Sequence, residues 1–208
     1  MTYQADVLAS SPAGYWRLGE LSGNSAADGS GNARNGTWVG VPALGQPGAI
    51  ISSSTNTAAG LDGTSHVTVM PWTVWDGAAA LSFEAWVRLP AGAEARYVAW
   101  RLNQVSLLVS ATRVSFGLAT SVGGFAVQQL DVVLTADVWH HIVWVYNGTH
   151  QLVYLDGVLV GSTAKTGTVT AGTGTLLIGP ASAASWSWTA TMPSGLSGYC
   201  LTMSAGKN

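Results

Sequence analysis

A chain of 208 residues is about the upper size of a single β-sandwich, so one domain is the default organisation. Charged residues make up only 9% of it, and a net charge of −2 with eight scattered Lys and Arg provides no basic stripe, which argues against a nucleic-acid partner. No run approaches the roughly 18 apolar residues of a membrane helix, and Met1 to Asp6 show neither a basic segment nor an apolar run, so neither membrane insertion nor a signal peptide is expected.

Runs rich in β-branched and aromatic residues recur along the chain, separated by turn residues, and nothing alternates with them at helical period. Strands are predicted at Gly14 to Leu18, Val67 to Met70, Leu81 to Leu89, Tyr97 to Arg101, Ser106 to Ser110, Arg113 to Leu118, Phe125 to Leu130, Trp139 to Tyr146, Gln151 to Leu155, Val158 to Gly161 and Thr175 to Ile178. Roughly ten or more short strands at this spacing make an all-β, antiparallel two-sheet sandwich.

Trp139 to Gly161 reads as a three-stranded meander. Asn147-Gly148 and Asp156-Gly157 are favoured two-residue hairpin turns, in which both central residues take positive φ. Period-2 alternation puts His141, Val143 and Val145 on one face and His140, Ile142, Trp144 and Tyr146 on the other. Both faces are largely apolar, so the strand is expected to be covered on both sides. In the Leu81 to Leu89 strand, Phe83, Ala85 and Val87 share a face.

Catalytic constellations are not evident. A glycosidase on such a sandwich needs two carboxylates about 5–10 Å apart, and the only glutamates, Glu20, Glu84 and Glu94, are not spaced i, i+2 with another acid. No Gly-x-Ser-x-Gly elbow occurs. His140 and His141 point to opposite faces, so they cannot share a metal or a substrate. The single cysteine, Cys200, has no intrachain partner.

The segment Asp28-Gly29-Ser30-Gly31-Asn32 places oxygen donors on a tight loop, and Asp28, Ser30 and Asn32 therefore form a candidate Ca²⁺ site. The same side chains also serve as turn caps bonded to backbone amides. Of the ten tryptophans, Trp16, Trp86, Trp139 and Trp144 fall within strand patterns and are assigned to the core. Trp72 and Trp75, in Pro71 to Gly77, and Trp186 and Trp188, in an Ala/Ser-rich stretch, fall in predicted loops. These four are candidate contacts for a glycan or a protein partner.

Several motifs occur in a telling order: Tyr15-Trp16-Arg17-Leu18-Gly19-Glu20, Asp28-Gly29-Ser30-Gly31-Asn32 with Asn35-Gly36-Thr37, Gly60-Leu61-Asp62-Gly63-Thr64, Phe83-Glu84-Ala85-Trp86-Val87, Trp139-His140-His141-Ile142-Val143, Tyr154-Leu155-Asp156-Gly157 and Leu177-Ile178-Gly179. Together they resemble the laminin-G-like, concanavalin A-like domains of bacterial surface proteins and phage virion proteins. The resemblance implies a concanavalin A-type jelly roll and supports calcium near the Asp28 loop. It departs at the C-terminus, where the family's closing strand carries an acidic residue and Ala190 to Cys200 has none. Residues 1–190 are accordingly read as the sandwich and 191–208 as an atypical tail.

The resemblance and the low charge imply a non-catalytic structural or binding module. The leading expectation is a phage virion component, a head-decoration or minor tail protein that packs against capsid or tail proteins or against its own copies. The alternative is a carbohydrate-binding adhesion module of a bacterial cell surface, and a host-surface glycan is a candidate partner in either setting.

Overall fold

The computed structural model describes residues 3–50, 56–93 and 95–179, together with the backbone of 199–203. Among the described residues a short helix, α1 (Tyr3–Ala9), precedes sixteen strands. They are β1 (Gly14–Trp16), β2 (Ser25–Ala26), β3 (Gly36–Val39), β4 (Ala43–Pro47), β5 (Thr57–Gly60), β6 (His66–Val69), β7 (Leu81–Arg88) and β8 (Arg96–Arg101), followed by β9 (Val105–Ser110), β10 (Arg113–Thr120), β11 (Gly124–Asp131), β12 (Trp139–Tyr146), β13 (His150–Leu155), β14 (Val158–Ala164), β15 (Leu176–Ile178) and β16 (Tyr199–Met203).

These strands build two antiparallel sheets. One runs β14-β13-β12-β7-β16-β5-β4, with β1 also pairing to β16, and the other runs β11-β10-β9-β8-β15-β6-β3-β2. The sandwich class predicted from period-2 patterning is therefore the observed fold. β16 lies within the stretch read as a tail, yet it is a strand of the β7 sheet, pairing Cys200 with Trp86 and Thr202 with Glu84.

The β7–β12 ladder shows how alternation becomes a core. Its register sets Leu81 opposite Tyr146, Phe83 opposite Trp144, Ala85 opposite Ile142 and Val87 opposite His140. All eight of these residues are buried. Val105, Leu107, Val109, Val114, Phe116 and Leu118 of the other sheet are buried in the same core, where Phe116 meets Trp144 at 6.1 Å. At the β11/β14 margin the gap is bridged by Leu130, which lies so close to Gly161 that a Cβ there would stand 2.2 Å from Leu130 Cδ1. Any other residue would force the Leu130 side chain to move.

Two expectations are corrected here. The His141, Val143, Val145 face of β12 is only half-buried, so the strand is covered fully on one side alone. Asp156-Gly157 has both residues at positive φ, as a type I′ turn requires, but at the other hairpin only Gly148 does. There Asn147 instead accepts backbone N–H bonds on its Oδ1 from Thr149 and His150, at 3.0 and 2.8 Å.

Trp72 and Trp75 are also not surface groups. Each is only 1% exposed, and they pack in series with Trp16, tilted at 5.7 Å for Trp16–Trp72 and edge-on at 5.1 Å for Trp72–Trp75. Their loop is pinned by the buried Arg101, whose Nη1 donates to Asp76 Oδ1 and Gln104 Oε1, each at 2.6 Å, and whose Nη2 donates to the Gly172 carbonyl at 2.9 Å. Gln104 Nε2 donates to the same Asp76 oxygen and to the Thr170 carbonyl. Burial pushes the Asp76 carboxyl up, but the bonds from Arg101, Gln104 and Gly172 outweigh it and hold the group below the usual carboxylate range.

Deleting the indole of Trp72 should cost about 3–5 kcal/mol, the range for truncating a buried large aromatic. Urea unfolding of Trp72→Ala measures this, and a loss below about 1 kcal/mol would take Trp72 out of the core.

Candidate functional site

The outer face of the β7 sheet gathers chemistry that the core excludes. On β7, residues Ser82, Glu84, Trp86 and Arg88 alternate with the buried set and are half-buried. Trp139, His141, Val143 and Val145 do the same on β12. The register places Trp86 opposite His141, Arg88 opposite Trp139 and Glu84 opposite Val143, with Val143 in turn opposite the half-buried Tyr154 of β13.

These side chains are held together. Trp86 and His141 stack at 4.7 Å with their planes 21° apart. The Arg88 guanidinium lies over the Trp139 ring at 5.5 Å from its centroid, in the range of a cation–π contact. His141 Nε2 stands 3.7 Å from Glu84 Oε2. From α1, Tyr3 reaches over this face: its hydroxyl donates to Glu84 Oε1 and accepts from Trp86 Nε1, both at 3.0 Å, and its ring meets Trp86 edge-on. The result is a face with two indoles, a phenol, an imidazole, a carboxylate and a guanidinium within reach of solvent. Such a mixture of flat apolar surface and convergent polar groups is the chemistry of ligand recognition.

Sequence reasoning missed this cluster because it placed Trp86 and Trp139 in the core. The signal was present: in Glu84-Ala85-Trp86-Val87-Arg88, period 2 puts Trp86 on the face of two charged residues, opposite Phe83, Ala85 and Val87. Trp16 and Trp144 are buried as expected.

The other candidate residues fall elsewhere. Trp72 and Trp75 face the core and cannot present a ring to a ligand, while Trp186 and Trp188 lie outside the described residues.

Asp28, Ser30 and Asn32 come together, as turn-makers. Asp28 Oδ1 accepts from the amides of Tyr15 and Ser30, and Oδ2 accepts from Ser30 Oγ and the Arg34 amide, all at 2.9 Å. Asn32 Nδ2 donates to the carbonyls of Pro12 and Ala13. A carboxylate offers about four lone-pair sites, and here four donors take them, so the loop in this arrangement does not fit a calcium ion. Arg34, whose Nη1 bonds the Ala13 carbonyl, also brings positive charge to the loop. Among the described residues no group of three or more His, Cys, Asp and Glu is placed to hold a metal.

A sequence profile described as the concanavalin A-like lectin/glucanases superfamily matches residues 61–193. The chain belongs to this superfamily. No curated protein matches it at a significant level. Among solved structures, the superfamily member described here is similar to domain 4 of AbnA, an extracellular GH43 arabinanase from Geobacillus stearothermophilus, in complex with arabinotriose. The identity is 15%, 94% of each chain is covered and the TM-score is 0.62. It is also similar to the receptor-binding domain of botulinum neurotoxin mosaic serotype C/D, at 9% identity and TM-score 0.65, with 96% of this chain and 48% of that one covered. The ligand-binding domain of botulinum neurotoxin serotype D, in complex with N-acetylneuraminic acid, matches at 11% identity and TM-score 0.62, with 100% and 50% covered. The chain thus spans about half the length of the toxin domains, and at these identities the likeness is one of fold.

The Asp28 carboxyl is pushed up by burial, but the bonds from Ser30, Tyr15 and Arg34 outweigh this and bring it below its ordinary value of 3.8. A carboxyl depressed on folding contributes stability above its unfolded pKa and loses it as pH falls through the folded value. Asp28→Asn should therefore be less stable than the wild type by about 1–3 kcal/mol at pH 7, through amides left without partners, and the gap should close in strong acid. Melting curves in calcium and in chelator should superimpose; a calcium-dependent rise abolished by Asp28→Asn would restore the metal site.

Proposed function

We propose that this chain is a non-catalytic carbohydrate-binding module whose ligand lies on the outer face of the β7 sheet. The observation that carries the reading is the half-buried group of Trp86, Trp139, His141, Glu84 and Arg88. Pyranose and furanose rings offer apolar C–H faces that pack on indoles, and hydroxyls that pair with carboxylate, guanidinium and imidazole edges. The sugar ligands in two of the similar structures support the same class of partner. A glycosidase needs a paired carboxylate, and on the outward positions of β7 and β12 Glu84 is the only acid.

The test is a glycan array that includes arabinotriose and N-acetylneuraminic acid, followed by calorimetry on the best binder. Trp86→Ala and Trp139→Ala should each weaken binding at least tenfold, about 1.4 kcal/mol, and both variants should fold because the rings they lose are half-exposed. Binding that survives both substitutions would move the site elsewhere.

A second reading, that the module packs into a virus particle against capsid or tail proteins or its own copies, is supported by a different surface. On the outer face of the other sheet, Phe125 and Val127 of edge strand β11 are each 47% exposed. They lie over Gly117, where an added Cβ would meet Phe125 Cζ at 2.8 Å. Apolar side chains along an edge strand favour a partner chain. Burial of Trp72 and Trp75 removes them as anchors for such contacts. Sedimentation of the wild type and of the Phe125→Ser, Val127→Ser double variant measures this: self-association lost in the variant supports the second reading, and a monomer in both cases argues against packing through copies of itself.

A further inference from the structure

We propose that helix α1 is an intramolecular occupant of the same face: a strap whose Tyr3 takes the position of a sugar and is displaced when a sugar binds. This rests on the glycan-binding reading and adds a regulatory element to it.

The argument starts from the polar groups at the rim of Trp86. The Tyr3 hydroxyl satisfies both at once, accepting the indole N–H and donating to Glu84 Oε1 at 3.0 Å each. A sugar hydroxyl is the same functional group, a donor and an acceptor on one oxygen, and it would use the same two partners. The Tyr3 ring meets Trp86 edge-on, 6.2 Å from it at an interplanar angle of 76°, while His141, fixed on β12, stacks on the indole. Trp86 is therefore in contact with both a residue of the sheet and a residue of the helix.

That helix is short and lies at the surface. It has seven residues, none of them buried. A helix this short has little stability of its own in water and depends on what it touches. Apart from the Tyr3 contacts, its side-chain hold includes a long bond from Arg17 Nη1 to Gln4 Oε1 at 3.5 Å. It leads into Ser11, at φ 48°, and then to β1, which is anchored by pairing with β16. The strap can thus leave the face while its root stays in the sheet. Since a site open for only a fraction of the time binds with its affinity reduced by that fraction, removing the Tyr3 contacts should strengthen sugar binding, whereas a purely structural tyrosine would weaken it or leave it unchanged.

The experiment compares the full chain with its Tyr3→Ala and Tyr3→Phe variants. The Trp86 indole N–H resonance, assigned by its loss in Trp86→Phe, is followed during titration with arabinotriose and with N-acetylneuraminic acid, and amide exchange is measured for residues 3–9. Expected is binding about tenfold tighter in Tyr3→Ala and severalfold tighter in Tyr3→Phe, with the wild-type α1 amides losing protection as sugar is added. Equal or weaker binding in both variants, or α1 protection unchanged at saturation, overturns the strap and leaves the sugar site standing. No shift of the Trp86 resonance with either sugar in any variant, the unstrapped Tyr3→Ala included, overturns both.

Discussion

The register between β7 and β12 is the constraint from which both the core and the site follow. Eight consecutive pairs, from Leu81 with Tyr146 to Arg88 with Trp139, fix which side chains are opposed. Because strand side chains alternate with period 2, a one-residue slip of β7 would turn Phe83 and Ala85 outward and bring Glu84, Trp86 and Arg88 inside, and a slip of β12 would do the same to Ile142 and Trp144 with His141. The hydrophobic cost of that exchange holds the outer cluster in place as firmly as it holds the core. The aromatic and polar groups of the outer face are thus positioned by the residues that alternate with them on the opposite face.

The scarcity of charge takes on meaning once the ionised groups are located. Several of them hold backbone in place. Asp28 ties four donors around one turn, and Asp62 does the same with the amides and hydroxyls of Thr64 and Ser65. Asp156 bonds the His140 ring at 2.7 Å and the His141 amide at 2.8 Å, joining a tight turn to the strand that carries the site. Arg101 and Asp76 fasten the tryptophan loop from inside. Long irregular connections leave many amides and carbonyls without ladder partners, and a carboxylate or guanidinium can satisfy several at once.

Much of this was legible in the sequence. The strands with clear alternation, the meander and the sandwich class follow from local pattern and turn chemistry. What was not legible depends on contacts between distant positions. Pro71 to Gly77 has no alternation and reads as an exposed loop, but its two indoles are buried beside Trp16 and its Asp76 is held by Arg101, both far away in the chain. Helix α1 is too short to show a period, and it exists beside Trp86 through Tyr3. The strand at Tyr199–Met203 follows a stretch with two glycines and no acidic residue, so only its place in the sheet reveals it. At the site, the misreading came from counting tryptophans within strand patterns as core when the charged neighbours at i±2 had already assigned the face.

The position of β16 bears on how the protein is made. This strand lies between β7 and β5 and also pairs with β1, so three strands from the first half of the chain share a neighbour that is translated more than a hundred residues after β7. At a ribosomal pace of about 5–20 residues per second, β7 waits several seconds with one edge unpaired after β12 has been synthesised. During that interval its open amides and carbonyls form a template for any other extended segment nearby, including the same strand on a neighbouring nascent chain. Slower translation of the stretch up to β16 would lengthen that exposure.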